Sequence, residues 1–241
     1  SNENNNCSEI IKERIKLNLL LKPEHKLSLV KSKLETILKQ ELQKLGITTV
    51  EEKNFTSPLV TAEQNFDSLL ISTNHYCRRS SDVYYVTNNI LLRTHLTAYL
   101  YETLLNKNIN CYYTSGPVFR RIEEDSIHSE LSHQFEFVHI VDSVTDSTIE
   151  IVSSIVKNIL PSDSKLRWEE SDEMPYITDS MSSLETLYKD SPIEIARYGV
   201  LSPEMLEKLQ QTNRSGYLIM FDLDHIAMIL NSISTIREIQ V

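Results

Sequence analysis

The chain has 241 residues, 40% hydrophobic and 24% charged, which suits one globular domain with a sizeable core. Lys+Arg against Asp+Glu stands at 10 to 8 over residues 1–53 and at 14 to 26 beyond them, giving a net charge of −10. An acidic balance of this kind argues against a general RNA-binding surface, which works by neutralising phosphates. No apolar run has the length of a membrane span, and the polar opening SNENNN does not read as a signal peptide. Cys7, Cys77 and Cys111 are widely spaced and odd in number, so they suggest free thiols rather than a disulfide framework or a zinc pattern. Only 4 glycines are present. Either few backbone stretches lie bare against a ligand, or codon bias has thinned them.

In chain order, residues 8–21 and 25–45 read as helices. The second carries Leu27, Val30, Leu34, Leu38, Leu42 and Leu45 at three- and four-residue spacing and stops at Gly46. That stripe suits packing on its own domain better than a partner coiled coil. A helix is expected over about 93–106. Strands are expected at CYYTS, PVFRRIEE and HQFEFVHIV, the last with Gln134 and Glu136 on one face and Phe135 and Phe137 on the other. A helix over 145–160 follows, then strands at SKLRWEE, SSLETLYK and PIEIARYGV. A short helix starts after Ser202-Pro203, and a strand at 216–222 runs into a helix over 224–232. Hairpin-spaced strands with segregated helices predict an α+β fold on an antiparallel sheet. The expected division is an N-terminal helical region, 1–53, and a unit over 54–241, together forming one compact body.

SPLVTAEQNFDSLLI, LLRTHLTAYL and GPVFRRIEEDSIHSELSHQFEF resemble the catalytic domain of class II phenylalanyl-tRNA synthetases of the single-chain organellar type. The resemblance is clear over 54–141 and weaker over 165–240. It implies a class II antiparallel sheet flanked by helices. In the family pattern V-[YF]-R-R-D-x-x-D-x-x-H-x-x-x-F-H-Q-x-E, this chain keeps Val118, Phe119, Arg120, Arg121, Asp125, His128, His133, Gln134 and Glu136. It has Ile122 for an acid and Ser132 for an aromatic residue. The resemblance implies that Arg120 contacts an α-phosphate and that Gln134 and Glu136 line the amino acid site. The other reading, which we favour at this stage, pairs Arg120 internally with Glu136.

Several substrate-binding positions depart from the family. Thr97 stands where the family has serine. Met174-Pro175-Tyr176 replaces F-P-F, and Arg197-Tyr198-Gly199 replaces G-C-G. Where the family has G-L-G-[LI]-[ED]-R-L-A-M, this chain has MFDLDHIAM: Met220 and Asp222 replace glycines, and His225 replaces the arginine that grips the γ-phosphate. A neutral histidine is a poor substitute for that arginine, and a carboxylate beside a polyanion is repulsive. Asp222, Asp224 and His225 together offer metal-type ligands, but at a spacing that matches no strong motif, so no metal is expected.

These departures predict a pseudoenzyme whose site residues are vestigial: Arg120, His128, Gln134, Glu136 and His225 for catalysis, Thr97, Met174, Tyr176 and Arg197 for substrate, and Arg120, Asp222 and His225 for nucleotide. The expectation is a structural or assembly subunit of a larger complex, in the mitochondrial matrix by resemblance. It would bind other protein subunits, with no tRNA, no membrane insertion, no cofactor, and no anticodon-binding domain following the sheet. The alternative is an active ligase using ATP and Mg, on phenylalanine or on an altered substrate.

Overall fold

The computed structural model of the chain describes residues 6–241, so most of the polar opening stretch falls outside the described residues. The N-terminal part contains α1 (Glu9–Ile15), α2 (Lys26–Lys44), β1 (Glu51–Glu52), β2 (Leu59–Thr61), α3 (Ala62–Asn65), β3 (Ile90–Leu92) and α4 (Leu100–Leu104). The long strands β4 (Cys111–Phe119) and β5 (Leu131–Val141) follow, then α5 (Asp146–Ile159), β6 (Leu166–Glu170), β7 (Ser182–Tyr188) and β8 (Ser191–Val200). The chain continues through α6 (Pro203–Lys208), β9 (Ser215–Asp222), α7 (Leu223–Leu230) and α8 (Ile236–Ile239).

Seven strands form one sheet in the order β1-β4-β5-β9-β8-β7-β6. Every pairing is antiparallel except β1 with β4, a two-residue parallel contact that sequence did not predict. The strands over 110–141, 165–200 and 216–222 therefore do share one sheet, and the α+β expectation holds.

Alternation along the strands sorts side chains between two layers. Phe135, Phe137, Tyr217, Ile219 and Phe221 point into a core shared with α2, α5 and α7. Val138, Ile140 and Leu218 join the opposite core, built from residues 60–109 and α6. Leu27, Val30, Leu34, Leu38 and Leu42 of α2 are all at most 2% exposed, so the stripe is spent within the fold. This agrees with the expectation that the stripe packs on its own domain. Leu45 departs from the stripe: it lies half exposed at the helix end, before Gly46 turns the chain with φ +79°.

Three sequence expectations change. Residues 8–21 break into α1 and a separate 3-10 turn, Leu19–Leu21. The helix expected over 93–106 is delayed: Ile90–Leu92 is a strand, Leu96–Tyr99 a 3-10 turn, and only Leu100–Leu104 is α-helical. The cause is Arg93, whose buried side chain donates to Pro117 O, Phe55 O and the Tyr99 hydroxyl and so fixes the backbone in an extended form. CYYTS and PVF form one continuous strand, and Arg120–Glu130 is its connecting loop to β5.

Candidate active site

Strand register places the candidate residues on one face of the sheet. Thr114 pairs with Glu136, Glu136 with Met220, Met220 with Arg197 and Arg197 with Ser183, in one row across five strands. Gln134 and Asp222 form the next pair along. Over this face lie two cavities. The first, about 240 Å³, is lined by Phe66, Tyr76, His95, Met174, Tyr176 and Met181, with Asp172 at its edge. The second, about 280 Å³, is lined by His128, Glu130, Gln134, Glu194, Asp222 and His225. Arg120, Ile122 and Arg197 line both and form the wall between them.

Arg120 stands just past the end of β4. Its backbone N–H donates to Glu130 O at 2.9 Å, which closes the base of the loop. Its Nε donates to Thr94 O at 3.2 Å. Among the described residues it forms no ion pair, so the expected Arg120–Glu136 pair does not exist. Desolvation, and then the like charge of Arg197, pull the guanidinium below the usual arginine range. Arg197 is instead fixed internally: its Nε donates to both oxygens of Glu194 at 2.8 and 2.9 Å, and Asp172 faces its Nη1 at 3.5 Å. Ser183 Oγ steadies Glu194 at 2.6 Å.

Glu136 is buried and accepts from Thr97 Oγ1 at 2.5 Å. Its second oxygen has no hydrogen-bond partner. Burial pushes the carboxyl up to about 7, only partly opposed by Thr97. Tyr176, also buried, lies between this pair and the first cavity, its ring edge-on to His95 with centroids 6.4 Å apart. Burial takes His95 down to about 4, so the ring is neutral, and its Nε2–H donates to Asn65 O at 2.9 Å.

The MFDLDHIAM stretch folds as the end of β9 and the start of α7. Asp222 caps the helix, its carboxylate accepting from His225 N at 2.8 Å. His225 Nδ1 lies 2.7 Å from Glu194 O, and Nε2 lies 2.7 Å from Ile127 O. Burial opposes charge on this ring, but the Asp222 carboxylate at 3.3 Å and the two carbonyls outweigh it and hold the imidazole above its ordinary value. Burial pushes Asp222 up to about 6, against the pull of His225. Asp224 turns the other way, into the core. It accepts from His133 N at 2.5 Å and from Gln240 Nε2 at 3.1 Å, with His133 Nδ1 3.2 Å away. The two acids and the histidine of this stretch do not converge on one point.

The structure therefore gathers Arg120, His128, Gln134, Arg197, Asp222 and His225 around the second cavity, and Arg120, Met174, Tyr176 and Arg197 around the first. Thr97 and Glu136 lie behind Tyr176. His128 sits at the rim with Asp125, its Nδ1 2.9 Å from both carboxylate oxygens. Sequence reading did not single out His95, Asp172 or Glu194. Their positions depend on long-range packing, although His95 lies inside the quoted LLRTHLTAYL.

Comparison with known proteins bears on this arrangement. The family profile described as "tRNA synthetases class II core domain (F)" matches residues 17–240. The chain is 27% identical to a mitochondrial phenylalanine–tRNA ligase of Dictyostelium discoideum over 98% of its own length and 58% of the relative's. It is 30% identical to the chloroplastic/mitochondrial phenylalanine–tRNA ligase of Arabidopsis thaliana, covering 75% of this chain and 44% of that one. The chain thus spans about half the length of these relatives. Among solved structures, the pyrrolysyl tRNA synthetase PylSc of Desulfitobacterium hafniense superposes with a TM-score of 0.60 at 14% identity, over 86% of this chain and 71% of that one, a likeness of fold. These relatives overturn the expectation of no cofactor, since ligases couple bond formation to cleavage of a nucleoside triphosphate.

Proposed function

The chain belongs to the class II core-domain family of tRNA synthetases and is similar to organellar phenylalanine–tRNA ligases, and on that premise we propose that it binds ATP and an aromatic amino acid in the two cavities and joins them at Arg120. The observation that carries this reading is the guanidinium of Arg120, without a carboxylate partner among the described residues, on the wall both cavities share. A planar, permanently charged fork at that place suits a phosphate lying between two ligands.

The chemistry is adenylate formation. The amino acid carboxylate attacks the α-phosphorus of ATP, a new P–O bond forms, and pyrophosphate leaves with the electrons of the broken bond. Phe66, Ile71, Met174, Tyr176 and Met181 give the first cavity an apolar wall for the ring. Glu136 lines neither cavity, so we assign it no contact with the ammonium. Arg120 neutralises charge building on the α-phosphate. Magnesium, when bound, would screen the remaining phosphate charge.

Met220 and Asp222 fill space beside the nucleotide cavity, and His225 is engaged by protein carbonyls, so we infer slow turnover. Transfer to tRNA is the named activity of the relatives. For this chain we propose only the activation step, with 1–53 and 54–241 acting as one unit. Calorimetry with ATP and Mg, alongside ATP–pyrophosphate exchange with phenylalanine, tests the proposal. Binding with weak exchange, both reduced about tenfold or more in Arg120→Ala, is the expected result. Absence of ATP binding by the unaltered chain would overturn it.

A second reading, a subunit that binds nucleotide without turning it over, is favoured by the mutual engagement of Asp222 and His225. Some relatives are themselves subunits, as the α subunit of Ureaplasma parvum is named. A mitochondrial location is proposed from the names of the relatives. No helix among the described residues is long and apolar enough to cross a membrane.

A further inference from the structure

Both ring nitrogens of His225 face backbone carbonyl oxygens, each at 2.7 Å. A neutral imidazole has one N–H and one lone pair, so it satisfies only one such contact and sets its lone pair against the other oxygen. Two donors require the imidazolium. The two acceptors belong to different walls of the second cavity: Glu194 O lies on β8, and Ile127 O lies in the loop 120–130 between β4 and β5. The ring itself is rooted on α7, whose cap Asp222 provides its counter-charge.

We propose that His225 is a positioning residue: an imidazolium latch that joins the Arg120-bearing loop, β8 and α7, and so holds the second cavity in shape before ligand arrives. The positive charge is retained at this position but directed inward, onto the protein, rather than onto a phosphate. Other ties hold the outer side of the loop: Ile236 N donates to Ser126 O at 2.7 Å, and Arg14 and Arg237 both reach Glu124. His225 is the tie on the cavity side.

The charged groups around the latch are mixed. Asp222 comes from the end of β9, Asp224 from α7, Glu194 and Arg197 from β8, and Glu185 from β7. Arg120, Asp125, His128 and Glu130 come from the loop, with the His128 ring 6.5 Å from that of His225. His128 carries its own carboxylate partner, Asp125, which limits its repulsion.

The latch rests on the proposed function only for the identity of the ligand in the cavity. Its test is therefore made first without ligand, on the full chain labelled with ¹⁵N-histidine. The expected spectrum at pH 7 shows both His225 ring nitrogens protonated. Amide exchange at Arg120, Ile127 and His128 should quicken by about tenfold or more in His225→Gln, the loss expected for a charge-assisted hydrogen bond. In the unaltered chain the same protection should fall as pH rises through the histidine titration. His225→Arg should keep it across that range. A neutral ring at pH 7, or loop exchange unchanged in His225→Gln, would overturn the latch. If the latch is seen but ATP does not bind, the function fails and the latch stands.

Discussion

Glu136→Gln separates burial from chemistry at this site. Glu136 is 2% exposed, and burial raises its carboxyl from an ordinary 4.5 to about 7. The folded chain therefore holds this proton more tightly than the unfolded chain does. Between pH 4.5 and 7 the unfolded state gives up the proton first, so stability falls as pH rises and levels off above about 7. Each tenfold in proton affinity is worth about 1.4 kcal/mol, so the full loss is about 3 kcal/mol. Glutamine keeps the shape and an acceptor for Thr97 but has no proton to lose. Urea unfolding of both proteins from pH 4.5 to 8 isolates the effect, because all other titrations cancel in the difference. The variant should gain on the unaltered chain by about 3 kcal/mol across that range. A stability difference that does not change with pH would refute the reasoning.

Arg120→Ala should weaken ATP binding by about tenfold or more, as expected for loss of a charged hydrogen-bond donor, with unfolding by urea little changed because Arg120 makes no ion pair among the described residues. Leu34→Ala, at a fully buried position of α2, should cost about 2–5 kcal/mol in urea unfolding. A near-neutral result would mean that α2 is not part of the sheet's core. Asp224→Ala leaves a buried His133 without its partner and should cost about 3–5 kcal/mol at neutral pH. Burial opposes charge on Asp224, but His133 and the hydrogen bonds outweigh it and hold the carboxyl below its ordinary value. Its contribution should therefore be present above the ordinary aspartate value and be lost below it, as pH falls toward the depressed folded value, which acid unfolding of the variant against the unaltered chain would show.

The fold was legible where burial is periodic. The α2 stripe and the Phe135/Phe137 alternation are direct records of one-sided packing, and α2, α5 and β5 fall within a residue or so of their expected bounds, apart from two residues at the start of β5. Legibility failed where side chains compete with backbone patterns. Arg93 holds residues 90–93 extended against a helical spacing of leucines. The short helix α3 was missed although its signature is present: Thr61 and Gln64 form a reciprocal capping box. The parallel contact of β1 had no signal, because two glutamates in a row carry no period.

At the site, family spacing located the residues but not their bonds. Arg120 and Glu136 are sixteen positions apart, the first just past β4 and the second on its partner strand β5, and a charge-based guess joins them. Glu136 instead sits deep in the row with Thr114 and Met220, where burial makes it a hydrogen-bond acceptor for Thr97, while Arg120 leaves the sheet at the loop. The same geometry changes the meaning of MFDLDHIAM. As a string, it has lost two glycines and an arginine, which suggests that the charge is gone. In the fold, Asp222 is a helix cap, and both ring nitrogens of His225 face backbone carbonyl oxygens. A substitution that looks like decay by residue type thus stands where α7, β8 and the loop after β4 meet at the second cavity. Nothing in the order of the nine residues states that, because both acceptors, Ile127 and Glu194, are distant in the chain and are brought together only by the sheet.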